Sequence, residues 1–183
     1  AWMPDSNRLV ITIRPDEIPH LALTDREGTF LRVLTRDSGE DADPRPSPDG
    51  KWVAYVHWPD DDRNRRDIRL VDLESGATRV LVGAPKMKDW FPRWSPDGKW
   101  IAFLSQRTDY NQVWLIRPDG TDIRQVTDLG TNVEEFSWSP DGTRLAVIVN
   151  RRGRLDLASA DLKSGRTDEI KVGRGVYSRP QWS

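Results

Sequence analysis

Trp94-Ser95-Pro96-Asp97-Gly98 returns unchanged as Trp138-Ser139-Pro140-Asp141-Gly142, and variants of the same five residues stand at nearly fixed spacing along the chain. Pro46-Ser47-Pro48-Asp49-Gly50 keeps all but the Trp, Trp2-Met3-Pro4-Asp5-Ser6 is a looser copy, and Trp182-Ser183 repeats the first two residues. Counted from the first residue of each copy, the steps are 44, 48, 44 and 44 residues. A self-similar unit of this length specifies one small sheet over and over, which is the pattern of a β-propeller with one blade per repeat.

The motif itself describes a turn. Pro presets the first central position of a type I turn, Asp bonds back to the local backbone, and Gly takes the left-handed conformation that closes a hairpin. A short apolar run follows each copy: Arg8 to Ile13, Trp52 to Trp58, Trp100 to Leu104 and Arg144 to Val149. Val53 and Tyr55, Ile101 and Phe103, and Leu145 and Val147 fall at matching offsets, with Ala54, Ala102 and Ala146 between them. Both faces are apolar, as in a strand covered on two sides.

Two further strand-like runs complete each unit. His20 to Thr24, Asp67 to Leu73, Gln112 to Arg117 and Leu155 to Leu162 come third; Thr29 to Thr35, Ala77 to Val82, Thr121 to Thr127 and Arg166 to Val172 come fourth. Residues leading into each motif, such as Val133 to Trp138 and Val176 to Trp182, supply the innermost strand of the next unit. The expected fold is therefore all-β, an array of about four blades, each a four-stranded antiparallel sheet. The repeats run over 2–45, 46–93, 94–137 and 138–181, with 182–183 opening another. A natural gene product rarely starts and stops inside a motif, which favours an excerpt of a larger propeller. A closed four-bladed ring, with the last strand paired to Arg8 to Ile13, is the alternative.

Composition narrows the function. The 183 residues, 36% hydrophobic with nine Trp, are enough for a sizeable core. A formal net charge of -1 gives no bulk attraction for a polyanion, so no nucleic-acid partner is expected. With no Cys there is neither a disulfide framework nor a thiolate metal site. No run of eighteen apolar residues marks a membrane span.

The stretch Phe91-Pro92-Arg93-Trp94-Ser95-Pro96-Asp97-Gly98-Lys99-Trp100-Ile101-Ala102-Phe103-Leu104-Ser105, followed by Arg124-Gln125-Val126-Thr127 and Phe136-Ser137-Trp138, resembles the N-terminal propeller of the prolyl oligopeptidase family, and most of all its acylaminoacyl-peptidase branch. The repeat is also similar to that of TolB-like propellers. The first resemblance implies a non-catalytic region that restricts substrate access to a separate α/β-hydrolase domain of the same parent chain, where the catalytic Ser, Asp and His reside. A cytoplasmic location goes with it. The second implies a scaffold that binds a protein or peptide without a hydrolase, in the periplasm. Neither implies a cofactor.

No Gly-x-Ser-x-Gly elbow occurs in this chain, and its two histidines, His20 and His57, fall inside expected strands, where a structural role is the plainer reading. No catalytic residue is assigned, and the chain alone is expected to be inactive.

Binding residues are sought on the longer, more varied loops opposite the motif turns. Arg63, Arg65 and Arg66 follow Asp60-Asp61-Asp62; Arg107 and Tyr110 share a second loop; Arg151 and Arg152 open a third. Guanidinium groups suit a carboxylate, and an aromatic beside an Arg suits an interface. Mutual pairing and solvation remain the plainer reading of each. Contiguous Asp60 to Asp62 lack the alternation and Gly of a calcium loop, so no metal is expected. Trp58 and Trp90 flank varied loops and are the aromatics best placed to face a ligand, with packing as the plainer reading. Trp94, Pro96, Asp97, Gly98, Trp138, Pro140, Asp141, Gly142, Pro48, Asp49 and Gly50 are structural.

Overall fold

The computed structural model describes residues 1–15, 17–171 and 178–182. Every regular element among them is a β-strand, and the chain divides into two compact units, 1–94 and 95–183. In the first unit, β1 (Arg8–Ile13), β2 (His20–Asp25) and β3 (Phe30–Val33) form one antiparallel sheet, and β4 (Glu40–Pro46), β5 (Trp52–Trp58), β6 (Asp67–Asp72) and β7 (Thr78–Val82) form the next. β8 (Asp89–Trp94) ends this unit. In the second unit, β9 (Ile101–Ser105), β10 (Gln112–Ile116) and the two-residue β11 (Arg124–Gln125) pair in order. A complete sheet follows them, of β12 (Asn132–Trp138), β13 (Arg144–Arg151), β14 (Arg154–Asp161) and β15 (Thr167–Ile170).

These are the blades of a β-propeller, and the motif makes the same turn each time. Gly50, Gly98 and Gly142 sit at φ of 70°, 71° and 69°, and their N–H groups donate to Ser47, Ser95 and Ser139 carbonyls at 2.9 Å. The Ser has a role that its sequence position does not announce. Its hydroxyl donates to the motif Asp at 2.6, 2.7 and 2.6 Å and accepts the backbone N–H five residues on, from Trp52, Trp100 and Arg144, at 3.0 Å. In the looser first copy Met3 replaces the Ser and is buried, Ser6 supplies the left-handed residue at φ 56°, and Asp5 still accepts the Asn7 and Arg8 N–H groups. Ala1 and Trp2 lie beside β1 there, through a bridge between Trp2 and Leu9.

The apolar runs after the second, third and fourth turns are buried on both faces, as their composition requires, whereas in β1 only Val10 is buried. Val53, Ala54, Tyr55, Ile101, Ala102, Phe103, Leu145 and Val147 are all buried, and β9 is buried along its whole length. Each large side chain among them contributes roughly 1.5–3 kcal/mol through burial. The motif Trp serves packing: the indole N–H of Trp94 donates to the Arg45 carbonyl at 2.9 Å, and that of Trp182 to the Ser137 carbonyl at 3.3 Å.

Three of the differences from the sequence reading bear on the fold. The segment expected as a loop from Arg36 to Asp43 becomes strand from Glu40 onward. Its charges and prolines disguise it, and a bulge between Ala42 and Arg45 accommodates Pro44 against β5. The fourth strand of the third repeat shrinks from Thr121 to Thr127 down to β11; a turn holds its first flank, with Arg117 N–H donating to Thr121 O at 2.9 Å, and the Val126 N–H still donates to Val113 O at 2.8 Å beyond it. Of the innermost strand expected over Val176 to Trp182, residues 176 and 177 lie outside the described residues, and 178–182 are not in a strand.

Candidate functional site

The early start of β4 carries Asp41 into the interior, where it is 0% exposed. His57 on β5 lies directly across from it in the ladder and donates from Nδ1 to Asp41 Oδ1 at 2.8 Å. His20, on β2, brings its Nδ1 to 3.8 Å from Asp41 Oδ2. Both histidines are thus buried strand residues gathered on one carboxylate. Gly39, at φ 102°, crosses so close that a Cβ there would lie 2.3 Å from the Trp58 carbonyl oxygen and 3.2 Å from His57 Nε2. Only a residue without a side chain fits.

Above this group the β3–β4 and β5–β6 connections border a cleft of about 350 Å³, lined by Asp37, Ser38, His57, Pro59, Asp60, Asp61, Arg65 and Arg69. Its two guanidinium groups are already committed. Arg65 grips the fully buried Asp67 with Nε at 2.8 Å and Nη2 at 2.7 Å, and this pairing raises the Arg65 pKa further. Arg69 Nη1 donates to Asp37 at 2.9 Å. Beneath them lies Tyr55, whose hydroxyl is pushed up by burial and by the neighbouring Asp41 charge. Gly83 allows Asp67 its place, since a Cβ there would lie within bonding distance of the carboxylate.

The outer part of the β5–β6 loop is pinned to the β7–β8 connection. Arg66 N–H donates to Met87 O at 2.9 Å, Asp89 N–H donates to Arg66 O at 3.0 Å, and Lys86 N–H reaches Asp62 at 3.3 Å. The Arg66 guanidinium stands 5.4 Å from the Trp58 ring centroid and 5.9 Å from that of Trp90. These two indoles therefore clasp an arginine of their own chain.

Of the sequence-selected residues, Arg63, Arg65 and Arg66 share this loop but diverge: Arg63 is exposed, Arg65 turns to Asp67 and Arg66 to the indoles. Only Arg65 lines the cleft. Arg107 and Tyr110 belong to the second unit, where Arg107 approaches Trp114 at 6.0 Å and Tyr110 is 44% exposed. Arg151 and Arg154 flank a two-residue hairpin, Arg152-Gly153, with positive φ at both positions, and both reach Asp156, at 3.5 and 2.9 Å. Asp37, Ser38, Asp41, Asp67 and Arg69 went unselected. For Asp67 and Arg69 the signal was a charged residue embedded in an apolar strand, beside Ile68 and Leu70; Asp37, Ser38 and Asp41 carried none.

The comparisons agree with this architecture. A protein TolB homolog of Chlorobium luteolum is 29% identical over 141 residues, which are 77% of this chain and 31% of that protein. This chain therefore spans about a third of that relative. A solved structure of putative TolB from Agrobacterium tumefaciens superposes with a TM-score of 0.76 at 24% identity, over 92% of this chain and 62% of that one. A puromycin hydrolase structure does so at 0.79 and 18% identity, over 94% and 30%. The model of the TolB beta propeller domain, PD40, matches residues 21–183, and the chain belongs to that family.

Proposed function

We propose that this chain is a non-catalytic propeller region that acts by binding polypeptide on the loop side of its second blade. The observation that carries this reading is the cleft over His57. It is concave, polar and bordered by the most varied connections of the first unit, whereas the opposite ends of the sheets are occupied by uniform turns. In the favoured form it is a TolB-like scaffold that recruits a protein partner, with the periplasm as its compartment; the family match and the 29% identical relative support this.

A second form is supported by the likeness to puromycin hydrolase over 94% of this chain. There the propeller restricts access to, and docks against, an α/β-hydrolase domain of the same parent chain. The two forms part in one experiment. The native polypeptide is captured with an antibody to this chain, weighed, and treated with a fluorophosphonate probe for serine hydrolases. An unlabelled band supports the scaffold; a labelled band much heavier than 21.0 kDa supports the peptidase form and overturns the scaffold. The purified chain itself stays unlabelled in either case, and label on it would sink the non-catalytic reading.

A further inference from the structure

The cleft over His57 carries a chemical preference, and naming it deepens the binding reading on which it rests. Its cationic groups are neutralised from within, Arg65 by Asp67 and Arg69 by Asp37. Asp60 and Asp61, both exposed at the rim, have neither a hydrogen bond nor an ion pair among the described residues. The floor adds an independent feature. His57, 1% exposed, also lines the cleft; its Nδ1 is fixed on Asp41, and its Nε2, beside Gly39, has no hydrogen-bond partner among the described residues. A ring that donates from Nδ1 to a carboxylate keeps, when neutral, a lone pair at Nε2.

Most unpaired groups here, the rim carboxylates and Nε2, are therefore acceptors, with the buried Arg69 Nε and the exposed Ser38 hydroxyl as donors beside them. Around the cleft, Asp37, Asp41, Asp60, Asp61 and Asp67 stand against Arg65 and Arg69, so the local field is negative although the whole chain is nearly neutral. An anion entering here meets two rim carboxylates and guanidinium groups already paired with carboxylates. For a cation with several N–H donors the same rim carboxylates are acceptors.

We infer that the cleft receives the cationic side chain of a basic residue, arginine above all, from a bound polypeptide, with Asp60 and Asp61 at the guanidinium and His57 Nε2 accepting from below. A volume of about 350 Å³ suits a side chain with its flanking backbone rather than a lone ion. Arginine is favoured over lysine because its planar fork offers five donors to acceptors arranged at rim and floor.

The test is an NMR titration of the 183-residue chain, following the amides of residues 37–39, 57, 58, 60 and 61. Nα-acetyl-L-arginine amide is the probe, and Nα-acetyl-L-citrulline amide is its neutral counterpart of the same shape. Saturable shifts at those amides are expected with a Kd on the order of millimolar, weakened about tenfold or more for citrulline and for the D60N/D61N double variant. Equal affinity for citrulline overturns the inference, as does affinity unchanged in the double variant. Glycinamide binding as tightly as the arginine probe overturns the assignment to a side chain, and acetate shifting the same amides overturns the assignment to a cation. Exposed Asp60 and Asp61 can be neutralised without disturbing the core, which the variant's unchanged spectrum elsewhere verifies. The fluorophosphonate result does not depend on any of these outcomes, so the two readings fail separately.

Discussion

At the scale of single residues, the motif Ser is the unexpected centre of the repeat. Buried Ser139 donates to Asp141 and accepts from the Arg144 N–H, so Ser139→Ala removes one of the donors to Asp141, which keeps those of Thr143, and the side-chain acceptor of the part-buried Arg144 N–H. A loss of about 0.5–1.5 kcal/mol in urea unfolding is expected. The same bond controls acid stability. The Ser139 hydroxyl, then the Thr143 N–H, hold the Asp141 carboxyl down at about 2, against 3.8 in the unfolded chain; Asp49 and Asp97 are lowered for the same leading reason. A depressed folded value means that the unfolded chain takes up the proton first. The stabilisation is thus complete above about pH 4 and is lost as pH falls through about 2. Urea midpoints measured down this range should decline for the parent and decline less steeply for Ser139→Ala. Gly98→Val puts a β-branched residue at φ 71° and should cost about 1–3 kcal/mol by the same assay. Pro, Asp and Gly announced their work in the sequence through the backbone angles they favour. Ser did not, because its contribution depends on a residue five places away that the turn brings back.

Among elements, legibility followed hydrophobicity. β1 and β5 matched their apolar runs to the residue, since nothing but a strand covered on both faces accounts for Trp52 to Trp58. β4 was hidden because Glu40-Asp41-Ala42-Asp43-Pro44-Arg45-Pro46 has the composition of a loop, and its pairing is decided by β5 beside it. The candidate site was hidden for the same reason: Asp41 becomes a partner for His57 only once β4 is a strand. Sequence reasoning singled out loop 59–66, with two others, for its arginines as binding groups, and held their pairing with the neighbouring carboxylates as the plainer reading. The structure spends Arg65 and Arg66 inward, leaving the carboxylates as the free groups. If Arg66 holds the β5–β6 and β7–β8 connections together, Arg66→Ala should speed hydrogen exchange at the Arg66 and Asp89 amides, which cross-link these segments, while those of β5 stay protected. Unchanged exchange would mean that the backbone bridge suffices without the indole clasp.

At the scale of the whole molecule, 28 basic and 29 acidic side chains nearly cancel, and the ion pairs described are mostly partly exposed. Screening should therefore matter little: raising NaCl from about 0.05 to about 0.5 M is expected to move the thermal midpoint by no more than about 2 °C in calorimetry. The repeat period revealed the four-blade composition from the sequence, because a fixed spacing of identical turns leaves few alternatives. What each blade binds was not legible, since the connections that differ among blades are the part the period does not constrain. The Ser–Asp clasp has a consequence for how such chains diversify. By locking the register of a hairpin at one end with five local residues, it frees the other end from any duty in alignment. A connection such as 59–66 can then lengthen or change charge at its tip, so long as a partner for the buried Asp67, here Arg65, is kept at its base.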